Sequence, residues 1–276
     1  MAADPMLKGR WLTKHRLPNA VDLAARKGGA DVMLHLLRMG AVSATGKAPY
    51  VAHGQASFTP IEIAVIEDLP EMVALLLRRG DVRADVASVT SALHSAAGNK
   101  RVECLQAFLA PGSPVNANSS DQCGDSPLHR AALYANLEAV QLLLSRGAVC
   151  TVRDDWGSTP LHFVCCWHPG KDAERAQMLG MFLESGGDSV MNVQDKWKRT
   201  PLHYAAFCDL PECCELLLRA GAVASLSIRD ELGETPLDTA SCDQNSCQDM
   251  LVALCKCWVM VFACETCEIR FWFAAL

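Results

Sequence analysis

One short phrase recurs along the chain, and that recurrence limits its architecture more than any other feature. Thr200-Pro201-Leu202-His203-Tyr204-Ala205-Ala206 is matched by Ser126-Pro127-Leu128-His129-Arg130-Ala131-Ala132, and Thr159-Pro160-Leu161-His162 opens a further copy. Thr235-Pro236-Leu237 and Thr59-Pro60-Ile61 are looser versions, and Ser91-Ala92-Leu93-His94-Ser95-Ala96-Ala97 lacks only the proline. Counted by their first residues the copies fall at 59, 91, 126, 159, 200 and 235, at intervals of 32, 35, 33, 41 and 35 residues. Self-similarity at this period marks stacked supersecondary units, none of which buries its apolar face alone.

Each part of the phrase has a physical reading. Thr or Ser caps a helix, and Pro sits in the first turn, where its missing N–H costs nothing. Leu and the Ala pair form an apolar face that lets helices approach closely. A second apolar stretch then ends in Gly, as in Val73 to Gly80, Val140 to Gly147 and Glu215 to Gly221. Gly supplies the left-handed residue that closes a helix, and the Arg before it at Arg79 and Arg146 suits the negative end of the helix dipole.

On these residues the chain resembles the ankyrin-repeat family over roughly residues 17–256. The resemblance implies an all-α ankyrin-repeat solenoid of about seven helix-turn-helix repeats, near 17–43, 57–86, 89–118, 124–153, 157–194, 198–229 and 233–256. It also implies a β-hairpin finger before each repeat, and a framework role for His94, His129, His162 and His203 through hydrogen bonds within and between repeats. The first repeat, Asn19 to Gly40, lacks the Thr-Pro opening and reads as a cap. Residues 1–16 form an N-terminal extension, and Ala44 to Phe58, with Tyr50 and His53, form a connector. In the 41-residue interval, His168 to Arg175 reads as a loop or an early start of the second helix. Residues 257–276 form an irregular tail rich in Cys and aromatic residues.

Composition narrows the function classes. The net charge of −6 argues against a nonspecific nucleic-acid binder, which needs a basic face. The first ten residues carry no apolar signal region, so the 14 cysteines are expected as reduced thiols in an intracellular setting, cytoplasmic or nuclear. The apolar run from Cys257 to Cys264 is too short for the ~20 residues of a membrane span. The aromatic tail (Trp258, Phe262, Phe271, Trp272, Phe273) leaves open a peripheral membrane contact.

Four constellations could carry function. Cys255, Cys257, Cys264 and Cys267 could supply thiolates to zinc, but the gap between the pairs is shorter than in zinc ribbons, so no metal is expected. His162, Cys165, Cys166 and His168 place a His and a Cys four residues apart, yet His162 already has its framework duty and the cysteines fill small core positions. Leu251, Cys255 and Val259 look like the start of the suppressor-of-cytokine-signalling box that recruits Elongin BC, without its Leu-Pro-rich second half.

The fourth is the row of fingertips, three residues before each marker: Ala56, Ser88, Cys123, Trp156, Trp197 and Leu232. Around the two tryptophans lie Arg153, Asp154 and Asp155, then Asp195, Lys196, Lys198 and Arg199, then Arg229, Asp230 and Glu231, and exposed aromatics beside Arg are the usual make-up of interface hot spots. The alternative is that the tryptophans only pack finger against finger. Lys198 stands where Gly157 and Gly233 stand in sister fingers, so its finger is expected to turn differently. With no phosphate loop, nucleophile elbow or carboxylate pair, the expected activity is non-enzymatic protein–protein recognition, as adaptor or scaffold. No cofactor, nucleic acid or small-molecule substrate is expected. The alternatives are the substrate-recognition subunit of a ubiquitin-ligase assembly and a peripheral membrane protein.

Overall fold

Five helix pairs and the first helix of a sixth make up the described part of the molecule, a computed structural model covering residues 48–49, 57–79, 82, 85–166 and 172–240. The extension 1–16, the first repeat, the end of the last repeat and the tail 257–276 lie outside the described residues. So do His168, Leu251, Val259 and the four cysteines Cys255, Cys257, Cys264 and Cys267.

The chain divides into two compact units, residues 1–148 and 149–276. In the first, α1 (Pro60–Ile66), α3 (Val86–Gly98) and α5 (Pro127–Leu133) pack in series. Their partners α2 (Pro70–Leu77), α4 (Val102–Phe108) and α6 (Leu137–Ser145) form a second row. A two-residue antiparallel pairing of β1 (Ala48–Pro49) with β2 (Ser57–Phe58) precedes α1. In the second unit, α7 (Pro160–Val164) packs on α9 (Pro201–Phe207), which packs on α11 (Pro236–Thr239). There α8 (Asp172–Glu184) packs on α10 (Pro211–Arg219). This is the all-α stacking that the repeat phrase implies.

The phrase does in space what its chemistry suggests. Thr59, Ser126, Thr159, Thr200 and Thr235 are N-caps in extended conformation, each followed by Pro in the first turn. The fourth residue of the phrase completes a capping box. Glu62 and Asp238 fill that place with a carboxylate, accepting the N–H of Thr59 and Thr235 at 2.8 Å. In the other three it is the histidine: Nδ1 of His129, His162 and His203 accepts the N–H of its own cap at 3.0 to 3.1 Å.

A backbone N–H can only donate, so Nδ1 must carry a lone pair and the proton sits on Nε2. That proton is donated forward, from His162 to the Arg199 carbonyl and from His203 to the Glu234 carbonyl, both at 3.2 Å. Each of these two histidines thereby ties its helix start to the next repeat. Burial is the main reason the His162 imidazole is pushed down to about 4, and burial lowers His203 as well.

The proline-free copy behaves differently. With no Pro to start a new helix at residue 92, α3 begins upstream at Val86, capped by the Asp85 carboxylate, and runs 13 residues against seven in α1 and α5. Ser88 therefore lies inside a helix and is no fingertip. Its histidine has no cap N–H to accept: His94 turns Nε2 to the Ser119 carbonyl at 2.8 Å and Nδ1 toward the Asp121 carboxylate at 3.4 Å.

Part of the 41-residue interval is helix. α7 is shortened to five residues and α8 lengthened to 13, so the charged stretch from Asp172 is the early start of the second helix. Arg175 is fully buried there, and its guanidinium donates to the Phe163 and Val164 carbonyls at the end of α7. A side chain from the next helix thus caps the truncated one. Cys165 occupies the buried place of Ala132 and Ala206, and Cys166 is half-buried. Burial holds both thiols protonated, raising Cys166 to about 12.

Candidate functional site

Four fingers among the described residues are tight turns, each organised by one aspartate, buried in the three of the second unit and half-buried at Asp121. Asp154 Oδ1 accepts the N–H of Trp156 at 2.9 Å and of Ser158 at 2.7 Å. Asp195 does the same for Trp197 and Arg199, and Asp230 for Leu232 and Glu234, at 2.8 to 3.0 Å. Asp121 holds Cys123 and Asp125 in this way in the first unit. Two backbone bonds close each of these turns, from the aspartate N–H to the carbonyl four residues on and from the N–H of the fourth residue back to the aspartate carbonyl. This is an Asx turn, in which a side-chain oxygen takes the donors a hairpin would otherwise satisfy.

The fourth turn position needs positive φ, and Gly124, Gly157 and Gly233 supply it at +77°, +77° and +82°. Lys198 sits at +59° with the same hydrogen bonds around it. Its finger therefore does not turn differently, contrary to the expectation drawn from the missing glycine. The two bonds to Asp195 Oδ1 hold Lys198 left-handed, at a steric cost of roughly 1–2 kcal/mol.

Side chains brace the turns from two directions. In the second unit the residue before each aspartate reaches back to the carbonyl of the left-handed residue: Arg153 to Gly157 at 2.9 Å, Gln194 to Lys198 at 2.8 Å and Arg229 to Gly233 at 2.6 Å. The second brace comes from the helix behind. Tyr204 donates its hydroxyl to Asp195 Oδ2 at 2.7 Å, and Arg130 donates to Asp121 Oδ2 at 3.0 Å. The equivalent residue behind Asp154 is Phe163, which has nothing to donate. Burial accordingly raises the Asp154 carboxyl above its ordinary value. At Asp230 burial pushes the same way, but the Glu234 N–H, Arg199 and the Leu232 N–H outweigh it and hold the carboxyl low.

The three turns of the second unit are joined into one edge. The Lys196 N–H donates to the Trp156 carbonyl at 2.8 Å, and the Glu231 N–H to the Trp197 carbonyl at 3.0 Å. Arg153 adds a second arm to the Gln194 carbonyl, bridging the two tryptophan fingers. On this edge Arg153, Asp155, Trp156, Lys196, Trp197, Lys198, Arg229 and Leu232 are all exposed. Trp156 and Trp197 keep 41% and 42% of their surface in solvent and Leu232 keeps 74%. The structure thus brings the eight sequence-selected residues to one edge, though it commits the Arg153 and Arg229 guanidinium groups to holding fingers. Asp154, Asp195 and Asp230, which build that edge, were not among the eight. Their signal was the Asp recurring five residues before each marker.

Among the described residues no three His, Cys, Asp or Glu side chains converge to hold a metal ion, and no helix is long and apolar enough to cross a membrane.

Comparison with known proteins agrees with this geometry. The model of ankyrin repeats matches residues 93–180 and 172–260, more than half of the chain. The chain is 38% identical over 82 residues to a Caenorhabditis elegans homolog of transient receptor potential cation channel subfamily A member 1, covering 30% of this chain and 7% of the relative. It is 34% identical over 137 residues to Protein PhlB of Serratia liquefaciens, covering 45% and 59%. It is 36% identical over 137 residues to human ankyrin repeat and SOCS box protein 6, covering 45% and 32%. The chain spans less than two thirds of each of these relatives. Ankyrin repeats are in general non-enzymatic modules that bind protein partners. Phrase, period, helix stacking and family model agree, and the chain belongs to the ankyrin-repeat family.

Proposed function

We propose that the protein is an adaptor or scaffold that binds a protein partner through the fingers and concave face of its middle repeats. The observation that carries this is the joined edge of residues 149–240, where two tryptophans and a leucine stay exposed on turns that backbone hydrogen bonds lock together. Rigid presentation lowers the entropy cost of binding, and large aromatic side chains are the residue types that dominate interface energies. The test is affinity capture from cell extract with the wild type and with Trp156→Ala/Trp197→Ala. Partners should be lost while Tm is largely kept, because both side chains lie at the surface. An unchanged partner set would refute the proposal.

A second reading is favoured by the relatives named ankyrin repeat and SOCS box proteins, of Bos taurus, Danio rerio and human origin. In it the finger edge selects a substrate for a ubiquitin-ligase assembly, and Leu251, Cys255 and Val259 dock Elongin BC. Capture of Elongin BC that is lost on Leu251→Ala would support it, and no capture by the wild type would end it.

A further inference from the structure

The fingertips of the joined edge differ in sign of charge as well as in apolar residue. The first carries Asp155 beside Trp156, the second Lys196 and Lys198 on either side of Trp197, and the third Glu231 and Glu234 around Leu232, all exposed. The cations at the finger bases are otherwise engaged: Arg153 donates to the Gly157 and Gln194 carbonyls, and Arg229 to the Gly233 carbonyl, 3.8 Å from Asp238. Lys196 and Lys198 make no ion pair among the described residues. At the tips themselves, above the Arg153 and Arg229 cations that these bonds hold at the finger bases, the charge runs negative, doubly positive, negative, with an apolar side chain at every step. Because the Lys196 and Glu231 N–H groups bond each tip to its neighbour, this order is built into the fold.

Stacked helix pairs repeat at about 8–10 Å. An extended partner segment, rising about 3.3 Å per residue, would meet successive tips with every third residue, and such residues point to opposite faces. An α-helix rises 1.5 Å per residue and returns to nearly the same face after about seven residues, a rise of about 10 Å. From the spacing and the charge order together, we infer that this edge takes an amphipathic helix of the partner protein. Its apolar residues recur about every seven positions, with acidic residues at the centre, over Lys196-Trp197-Lys198, and basic residues toward both ends, over Asp155 and over Glu231 and Glu234. This rests on the finger-edge reading above and adds the partner's chemistry. An anionic membrane would also attract the Lys-Trp-Lys tip, but the acidic outer tips and the net charge of −6 oppose it.

The test uses the full chain and three labelled helical peptides of about 21 residues with the same apolar positions. Their charge orders are basic–acidic–basic, acidic–basic–acidic and neutral. Fluorescence anisotropy should show the first binding at least about tenfold more tightly than the second, and Lys196→Glu/Lys198→Glu should abolish or invert that preference. Equal affinity for all three, binding of none, or a preference indifferent to the charge swap would overturn the inference. So would Lys196- and Lys198-dependent binding to phosphatidylserine vesicles without peptide binding. The tryptophan capture experiment separates the two levels. Trp-dependent partners with no peptide discrimination leave the edge standing and remove the helix, whereas Trp-independent partners remove both.

Discussion

The framework histidines make acid sensitivity a sharp test of the fold's internal wiring. His162 is buried, its Nδ1 accepts the Thr159 N–H, and its Nε2–H is donated to the Arg199 carbonyl. Protonating it would place an N–H against an N–H and a charge in the core. Burial above all holds its pKa near 4, against an ordinary 6.5. Between these two values the unfolded chain binds a proton that the folded chain refuses, so stability falls as the pH falls from 6.5 toward 4, and is fully present above 6.5. At about 1.4 kcal/mol per tenfold change in proton affinity, the full loss is about 3 kcal/mol, of which about 2 kcal/mol has gone by pH 5.

The background from carboxylates is removed by comparison with His162→Gln. Gln keeps a side-chain acceptor for the cap N–H and a donor for the next repeat but does not titrate. At pH 7 the variant should be less stable than the wild type by about 1 kcal/mol. Urea unfolding followed by circular dichroism at pH 7 and pH 5 should show the wild type losing about 2 kcal/mol more than the variant over that interval. Equal losses would mean that His162 accepts its proton freely, and the tautomer assignment would be wrong.

Other substitutions probe the fingers and the buried arginine. Lys198→Gly should raise stability by about 1 kcal/mol, read as a higher Tm, because Gly relieves the left-handed strain, while weakening partner capture by removing a tip cation. Phe163→Tyr should give Asp154 the brace that Tyr204 gives Asp195, adding about 1 kcal/mol by urea unfolding and lowering the Asp154 pKa in an NMR titration. Arg175→Ala should cost about 3 kcal/mol, since it leaves the Phe163 and Val164 carbonyls without their donor and opens a cavity.

Fold and site were legible in the sequence to different depths, and the boundary between them is physical. Helix starts were readable because Thr-Pro is a local device: the cap and the proline act within one turn, whatever packs against them. The start of α3 was misplaced for the same reason, since without Pro nothing in Ser91-Ala92-Leu93-His94 forbids helix upstream, and Asp85 takes the cap instead. Arg175 was read as part of a loop or an early start of the second helix, and the helix was right, but its burial was hidden because it depends on two carbonyls of another helix, left open only when α7 stops at Val164. No window of sequence around Arg175 carries that information.

The fingertips lie between these cases. Their positions followed from counting back from each phrase, but their geometry follows from the aspartate two residues before each tip. In Asp195-Lys196-Trp197-Lys198-Arg199 the missing glycine suggested a different turn, and the aspartate decided otherwise: with Oδ1 accepting two N–H groups at 2.9 and 2.8 Å, the left-handed residue is fixed whatever its side chain. Two such bonds, at about 1 kcal/mol each and more to a carboxylate, match or exceed the cost of a non-glycine residue at positive φ. Lysine is thereby tolerated where glycine would be easier, and the second unpaired cation of the central fingertip exists because Asp195 offsets its strain. If that balance is right, Asp195→Ala should disorder the Trp197 finger in the wild type and cost less in the Lys198→Gly background. A double-mutant cycle read by urea unfolding would show it as a coupling of about 1 kcal/mol, and a coupling of zero would break the link between the turn and the charge it displays.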